Sequence, residues 1–332
     1  MSLSFYSSCV MCPRMCGINR ESGEKGFCGE TSELRVAFAG IHRGEEPPVS
    51  GPNGSGTIFI SGCNLGCAFC QNYQISKGNQ SSKGDQISKS VIGKTVDSGE
   101  FADICISLQE KGAANINIVT GSHSVPAIVS GIETARKRGL SIPVLWNSSG
   151  YDGINALEML KDHIDVYLPD LKTLDCGIAA RFFNASDYPE HAAAAIKKMM
   201  EYRRLRFEGN VIKSGVIIRH LVIPGFPENT RTVLKWFAEN CLENIDGHKN
   251  RSKALLSVMP QYTPLNSTEN KNIPSRFLSQ NEYDAVVQML EDSGIEDGFC
   301  QELVTGADWL PDFRRPNPFS SELSIPVWHW KQ

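Results

Sequence analysis

The stretch TIFISGCNLGCAFCQN, residues 57–72, decides how this chain is expected to fold. Its opening run is rich in β-branched and aromatic residues and ends at Gly62, a pattern typical of a strand followed by a turn. Three cysteines, Cys63, Cys67 and Cys70, leave the end of that strand. Thiolates at this spacing can converge on one inorganic centre. Three soft ligands are one short of a closed site, so the centre would keep an open and reactive position.

Beyond this strand, short apolar runs alternate with longer amphipathic segments. This alternation predicts βαβ units and a buried parallel sheet. The expected strands cover residues 57–61, 115–120, 142–147, 164–169, 215–223 and 254–259. The expected helices cover residues 100–111, 124–138, 152–161, 187–207, 228–243 and 281–293. Six such units suit either an open doubly wound sheet or a curved barrel, and the pattern alone does not separate the two.

The C-x3-C-x2-C spacing, with Phe69 before the last cysteine, resembles the signature of the radical S-adenosylmethionine (SAM) superfamily. The resemblance implies an α/β fold, a partial (β/α)6 TIM-like barrel with the cysteine loop after its first strand. It also implies that Cys63, Cys67 and Cys70 hold three irons of a [4Fe-4S] cluster while SAM chelates the fourth. An electron from the reduced cluster would cleave SAM and release a 5′-deoxyadenosyl radical. Judged from the residues alone, a zinc site completed from elsewhere and three structural thiols stay open.

Polar residues follow several of the expected strands, and sites in parallel α/β folds lie at the carboxyl ends of strands. Gly121 follows the second strand and would let the backbone approach a ligand closely. Ser122 and His123 stand where the family usually has Gly-Glu, so only the location carries over. Asn147, after the third strand, is expected to reach SAM. An ordinary turn is the alternative at both places.

Asp170 and Lys172 end the fourth strand, in a segment that resembles the D-x-K of glycyl-radical-enzyme activases. Residues two apart on a strand point to the same side. The resemblance implies that Lys172 helps to bind the SAM carboxylate, and a local surface ion pair is the alternative. On the fifth strand Arg219 and His220 face opposite ways, and we expect Arg219 to line the barrel and contact the ligand. After the sixth strand, Gln261 and Tyr262 are expected to close over SAM or substrate.

A second cysteine block lies upstream, in CVMCPRMCGINRESGEKGFCG, residues 9–29. Cys9, Cys12, Cys16 and Cys28 can wrap one tetrahedral centre, either structural zinc or an auxiliary iron–sulfur cluster. Such a centre would stabilise a segment with few apolar residues. The absence of any metal there is the third alternative.

Composition narrows the class of protein. Of the 332 residues, 41% are hydrophobic and 21% charged, as in an ordinary globular protein. We divide the chain into a cysteine-rich N-terminal extension (1–50), a radical SAM barrel (51–297) and a C-terminal segment that packs on the barrel (298–332). The net charge of −4 argues against nucleic acid and anionic membrane as partners. Eleven cysteines, with no signal peptide or apolar span in view, predict a reducing, cytoplasmic location.

The sequence therefore predicts a radical SAM oxidoreductase, similar to the activating enzymes of pyruvate formate-lyase and related glycyl radical enzymes. The resemblance implies an electron donor such as flavodoxin or ferredoxin. An activase would abstract hydrogen from a glycine of a partner protein, and another peptide or a small molecule stays open as the substrate. A non-catalytic iron–sulfur or zinc-binding protein in electron transfer is the rival from another class. Because the radical performs the chemistry, no acid–base residue is expected.

Overall fold

A computed structural model describes residues 5–76, 91–245, 248–265, 273–307 and 309–332. Strands and helices alternate along most of this length. The strands are β1 (Leu34–His42), β2 (Ser55–Ile60), β3 (Lys94–Val96), β4 (Ile116–Val119), β5 (Val144–Ser148), β6 (Val166–Pro169), β7 (Arg206–Glu208), β8 (Val211–Leu221), β9 (Leu242–Ile245), β10 (His248–Ser252), β11 (Leu255–Met259), β12 (Gly298–Cys300) and β13 (Ser324–His329). The α-helices are α1 (Pro47–Ser50), α2 (Tyr73–Ser76), α3 (Ser98–Glu110), α4 (Val125–Lys137), α5 (Ile154–Leu160), α6 (Cys176–Phe183), α7 (Tyr188–Tyr202), α8 (Pro227–Cys241) and α9 (Gln280–Ser293).

Six parallel strands form the centre of the molecule, in the order β2, β4, β5, β6, β8 and β11. They are the six strands that the apolar runs predict, and helices connect them. The expected (β/α)6 arrangement is confirmed. On one side β12 adds a short parallel strand to β11. On the other, β1 pairs antiparallel with β2, and β13 pairs antiparallel with β1.

The connecting helices bury one face against the outside of this sheet. In α4, Val125, Ile128, Ile132 and Ala135 are fully buried, as their helical spacing predicts. Ser124 occupies the N-cap position of α4, but its side chain makes no capping hydrogen bond. No helix in the described parts of the chain combines the length and the apolar character that crossing a membrane requires.

The loop between β1 and β2 closes the amino end of the barrel interior. It carries α1, whose Val49 packs with inward-facing side chains of the parallel strands. These strand residues are all buried, and they include Leu145, Val166, Leu168, Ile217 and Leu255. The next residue along several strands, such as Trp146, joins the larger core between the sheet and the helices instead.

The C-terminal segment completes the open side of the barrel. Phe313 is fully buried, and its ring lies 5.2 Å from the ring of Phe59 on β2. Phe319 extends this aromatic group towards Phe38 of β1. The chain then forms β13 at the edge of the sheet, so the segment is packed on the barrel through both its side chains and its backbone.

Candidate functional site

The loop after β2 holds three cysteines at the carboxyl end of the barrel. Cys63 is buried, and Cys67 and Cys70 are half-buried. Burial raises the pKa of the Cys67 thiol, Lys172 opposes that rise, and Cys70 and Cys63 add to it. The three sulfurs and the Lys172 amine are therefore electrostatic neighbours at one end of the barrel.

Aromatic packing fixes the shape of this loop. The ring of Phe69, between the second and third cysteines, lies 5.0 Å from Tyr262 and 5.7 Å from Phe183. The Ala68 amide donates to the Phe182 carbonyl at 2.8 Å. Tyr262 is fully buried in this cluster and supports the loop from behind, and its closing over SAM or substrate stays a prediction. The ends of α6 and β11 thus hold the cysteine loop in place.

The donor set suits an iron–sulfur cluster with an open iron. Three thiols from one loop supply soft ligands, and the Leu65 amide donates to the Cys63 sulfur at 3.3 Å, as amides do to the thiolates of such clusters. Within the described residues, no three His, Cys, Asp or Glu side chains gather around a point suited to a single metal ion. An iron–sulfur cluster does not require such convergence, because each thiolate binds a different iron.

Asp170 and Lys172 lie beside the cysteine loop. They project to the same side of the strand end, as expected, and the Lys172 amine forms an ion pair with the Asp170 carboxylate. The Tyr188 hydroxyl receives the Lys172 amide at 3.0 Å and lies 2.8 Å from the Asp170 carbonyl oxygen. Burial alone would lower the pKa of Lys172, but Asp170 and Cys67 outweigh burial and raise it. The pair therefore presents a fixed cation next to Cys67.

A buried carboxylate connects the turns after β4 and β5. Asp152 accepts hydrogen bonds from the Ser122 hydroxyl at 2.6 Å, from the Trp146 indole at 3.3 Å and from the Ser148 hydroxyl. Burial raises the pKa of Asp152, and these donors oppose the rise. A side chain at Gly121 would lie 2.6 Å from the Trp146 ring. Close packing is therefore the visible reason for this glycine, where the sequence predicts close approach to a ligand.

The ends of β4 and β5 also meet through their backbones. The Thr120 amide donates to the Asn147 carbonyl at 2.9 Å, and the half-buried Asn147 follows Trp146 on β5. Thr120 has a φ of 63°, a rare conformation for a β-branched residue. Strained backbone of this kind is concentrated at functional sites.

Arg219 lies in the barrel interior, but its partners differ from those expected. Its guanidinium donates to Glu46 at 2.9 Å and also pairs with Glu45, both from the loop that closes the amino end. His220 faces the other way, between the Leu171 carbonyl and the Thr230 hydroxyl. Two carboxylates hold the guanidinium of Arg219, and the contact of Arg219 with a ligand stays a prediction.

The N-terminal cysteines form a second cluster of sulfurs. Cys9, Cys12 and Cys28 are buried and Cys16 is half-buried. Burial raises the pKa of Cys12 to about 12, and the other three cysteines contribute to this rise. The Phe27 amide donates to the Cys16 sulfur at 3.5 Å. The four thiols are therefore within electrostatic range of one another, but no three of them converge on a point suited to a single metal ion.

The two cysteine blocks touch each other. The Cys63 amide donates to the Cys28 carbonyl at 3.3 Å, and the Arg14 side chain donates to the Asn64 carbonyl at 2.9 Å. None of the eleven cysteines, all within the described residues, forms a disulfide. The N-terminal block is thus fitted directly against the loop of the first site.

The model of the radical SAM superfamily matches residues 57–237, more than half of the chain. The chain belongs to the radical SAM superfamily. Radical SAM proteins use a [4Fe-4S] cluster and SAM to generate a radical, so this chain has the fold and cofactors of an enzyme of radical chemistry.

Several known proteins are similar to large parts of the chain. The uncharacterized protein MJ0674 of Methanocaldococcus jannaschii is 29% identical over 291 residues, which cover 87% of this chain and 75% of that protein. Streptococcus suis SuiB bound to S-adenosylmethionine matches 72% of this chain and 48% of its own, at 13% identity and a TM-score of 0.49. A domain of pyruvate-formate lyase-activating enzyme from Bacteroides vulgatus matches 54% of this chain and 91% of its own, at 14% identity and a TM-score of 0.37.

The sequence analysis missed two residues that organise this radical SAM site. Asp152 follows the third strand as a lone carboxylate before Gly153, and that position was its only sequence signal. Tyr188 begins α7 and has no local signal, because its hydroxyl acts on residues in two other segments. Both are buried polar groups whose partners become apparent only in the folded chain.

Proposed function

We propose that this protein reductively cleaves SAM at a cluster on Cys63, Cys67 and Cys70 and uses the radical to abstract hydrogen from a substrate. The observation that carries the proposal is the Asp170–Lys172 ion pair beside Cys67. A cation held next to an open iron is what the carboxylate of a chelated amino acid requires. Three cysteines that were idle or purely structural would not need a fixed cation beside them.

Each residue near the cysteine loop then has a role in binding SAM. Lys172 attracts the SAM carboxylate, and Tyr188 holds the strand end that carries Lys172. The backbone at Gly121 and the side chain of Asn147 border the remaining part of SAM. Arg219 is predicted to contact the ligand from the barrel interior, and its ion pairs also hold the loop between β1 and β2 at the amino end of the barrel.

The reaction itself requires little acid–base help from the protein. The reduced cluster, when bound, supplies the electron that breaks the carbon–sulfur bond of SAM. The chain positions SAM and keeps water away from the radical. The aromatic cluster of Phe69, Phe182, Phe183 and Tyr262 is well suited to that second task, because it packs directly behind the loop.

We further propose that the substrate is a glycine in a peptide segment of a partner protein, as in glycyl-radical-enzyme activases. The Asp170-Leu171-Lys172 segment supports this, because it resembles the D-x-K of those enzymes. A flavodoxin or ferredoxin would supply the electron. A reducing, cytoplasmic setting agrees with eleven cysteines that form no disulfide.

We also propose a second thiolate centre on Cys9, Cys12, Cys16 and Cys28, an iron–sulfur cluster and not zinc, because no three ligand side chains of the described residues converge on a point suited to a single metal ion. Their mutual proximity and the amide donated to Cys16 support it. In this scheme residues 1–50 form a metal-binding extension, 51–297 the catalytic barrel and 298–332 its supporting segment.

Anaerobic reconstitution with iron and sulfide, followed by electron paramagnetic resonance (EPR), tests the proposal. We expect a [4Fe-4S]+ signal in the reduced protein that changes when SAM is added. Replacing Cys63, Cys67 and Cys70 by alanine should remove that signal. Cys176→Ala is the matched control, because Cys176 is exposed and lies outside both blocks. A cluster indifferent to SAM would contradict the proposal and favour a role in electron transfer.

The substrate is tested separately. Anaerobic incubation with SAM, reductant and a candidate glycyl radical enzyme should yield 5′-deoxyadenosine and a glycyl radical signal on the partner. Formation of 5′-deoxyadenosine without a radical on any partner would reject the activase role and leave SAM cleavage intact.

A further inference from the structure

A cavity of about 670 Å³ lies at the amino end of the barrel, a volume typical of small-molecule sites. The end of α7, the end of α8 and the residues between β10 and β11 line it. At this end of α7, the Arg203 side chain donates to the Ile164 carbonyl at 2.7 Å, two residues before β6 begins. The cavity therefore lies at the opposite end of the strands from the cysteine loop, which follows the carboxyl end of β2.

Two cations at this cavity have no acidic partner. Lys197 lies on α7 and Arg204 follows the end of that helix, and both side chains are exposed. Neither forms an ion pair with a carboxylate within the described parts of the chain. The two carboxylates that line the cavity are already paired, Glu201 with Lys198 at 3.0 Å and Glu243 with Lys253 at 3.6 Å. The cavity thus carries an unbalanced positive charge.

The wall of the cavity combines a buried hydroxyl group with apolar surface. Ser252 is 7% exposed, and its hydroxyl oxygen has no hydrogen-bond partner among the described residues. Leaving a buried hydroxyl group unpaired costs free energy, so such groups are uncommon. Met200 and Leu205 are half-buried and line the same cavity. A ligand that carries both an anionic group and an apolar group would satisfy all these features.

We propose that this cavity is a binding site for a small organic phosphate. The phosphate group lies between the Lys197 amine and the Arg204 guanidinium, whose planar fork matches two phosphate oxygens. The Ser252 hydroxyl donates to the same group, and the organic part packs against Met200 and Leu205. The site is separate from the proposed SAM site, and the inference does not depend on the proposed function.

Isothermal titration calorimetry of the reconstituted protein with phenyl phosphate tests the proposal. Inorganic phosphate and phenol are titrated in parallel, because each reproduces one half of the probe. Phenyl phosphate should bind more tightly than either by about tenfold or more, since the cavity contacts both halves at once. No SAM is present, so the measurement is independent of radical chemistry.

Variants of the lining residues locate the bound molecule. Lys197→Met and Arg204→Met should each weaken phenyl phosphate binding by about tenfold, because each removes a charge-assisted hydrogen bond. Ser252→Ala should weaken it by about threefold, the effect of one neutral hydrogen bond. Lys197 and Arg204 are exposed, so their replacement should leave the fold intact.

Lys137→Met is the matched control. Lys137 is also an exposed cation near the end of a barrel helix, in the last turn of α4, but it does not line the cavity. It should leave the affinity for phenyl phosphate within about twofold of wild type. If Lys197 served only to stabilise the end of its helix, the two lysine variants would behave alike.

The other outcomes each overturn the inference. Absence of phenyl phosphate binding at millimolar concentration would reject the site. Wild-type affinity in both Lys197→Met and Arg204→Met would show that the probe binds elsewhere. Inorganic phosphate binding as tightly as phenyl phosphate would reject a site for an organic phosphate, and phenol binding as tightly would reject the role of the charges. None of these results would affect the proposed cleavage of SAM.

Discussion

At Gly62 three segments of the chain approach one another closely. Its φ of 82° lies in the left-handed region, and a side chain would come within 2.5 Å of the Glu30 side chain. The same side chain would lie 3.0 Å from the Cys28 carbonyl oxygen and from the His123 ring. The position admits only glycine, because both the backbone conformation and the available space exclude a side chain.

Gly62→Ala should therefore lower the free energy of unfolding by about 2–4 kcal/mol, from overpacking together with the strained backbone. It should also lower the iron content after reconstitution, since Cys63 is the next residue. Gly306→Ala is the control, because a side chain there would meet no atom within 4 Å. Denaturant unfolding and iron analysis measure both effects, and a Gly62→Ala protein as stable as the control would contradict this packing.

Asp152 provides a second prediction at the scale of one residue. Asp152→Ala removes the acceptor for three buried donors, so we expect about 3 kcal/mol lower stability. We also expect SAM binding to weaken by about tenfold, because two turns beside the site lose their connection. Asp152→Asn should show a smaller loss of both. Asp103→Asn, at an exposed ion pair with Arg138, is the control and should change stability by less than about 1 kcal/mol. Unchanged SAM affinity in Asp152→Ala would contradict the connecting role.

His220 should make stability depend on pH. Burial lowers its pKa from 6.5 to about 4, and Lys172 adds to the lowering. Its Nδ1–H donates to the Leu171 carbonyl, so its Nε2 accepts from the Thr230 hydroxyl in the neutral ring. The unfolded chain then binds more protons between these two pH values, and stability falls as the pH falls from about 6.5 to about 4. The contribution lost is about 3 kcal/mol.

The measurement for His220 is the difference in unfolding free energy between wild type and His220→Gln across that range. Acid effects on other groups cancel in this comparison. The advantage of wild type should shrink towards low pH. A difference that stays constant from pH 7 to pH 4 would show that the ring is not held neutral.

At the scale of elements, the loop that carries α1 is attached to the barrel by charge. Glu46 is 4% exposed and Arg219 is 8% exposed, so breaking their pair leaves a buried charge without its partner. Arg219→Met should therefore cost about 3–5 kcal/mol in stability. Removing both charges, in Arg219→Met with Glu46→Leu, should recover a large part of that loss. Additive losses in a double-mutant cycle would argue that the ion pair does not hold the loop.

The elements of the barrel were predictable because each carries its own signal. Continuous apolar runs located all six parallel strands, although β8 begins at Val211, four residues earlier than expected. Helix α6 was missed, since it has only 8 residues. The antiparallel strands β1 and β13 were missed because each finds its partner outside the βαβ pattern.

The residues of the candidate site likewise fall into those that the sequence predicts and those that it does not. The three cysteines are close to one another along the chain, and so are Asp170 and Lys172. The spacing within each group was therefore enough to predict it. The partner of Arg219 was not predictable, because Glu46 is 173 residues away. Arg20 likewise meets His123 across 103 residues. Contacts that form only when distant segments meet leave no pattern in a single sequence.

For the molecule as a whole, SAM should act as a stabilising ligand. A ligand that binds only the folded state at 100 times its dissociation constant adds about 2.7 kcal/mol. We expect SAM to raise the anaerobic melting temperature of the reconstituted protein accordingly. Lys172→Met should lose this rise at the same SAM concentration, whereas Lys94→Met should keep it, since Lys94 makes only an exposed ion pair. An equal rise in both variants would remove Lys172 from the SAM site.

The edge strand β13 has a consequence for how the protein is made. Strand β1 is synthesised long before Ser324–His329, the strand that pairs with one of its edges. Until then that edge presents unpaired backbone groups, a template for association with other chains. Nascent chains stalled before residue 324 should therefore associate with chaperones or with each other. Chains that include the complete β13 should no longer do so.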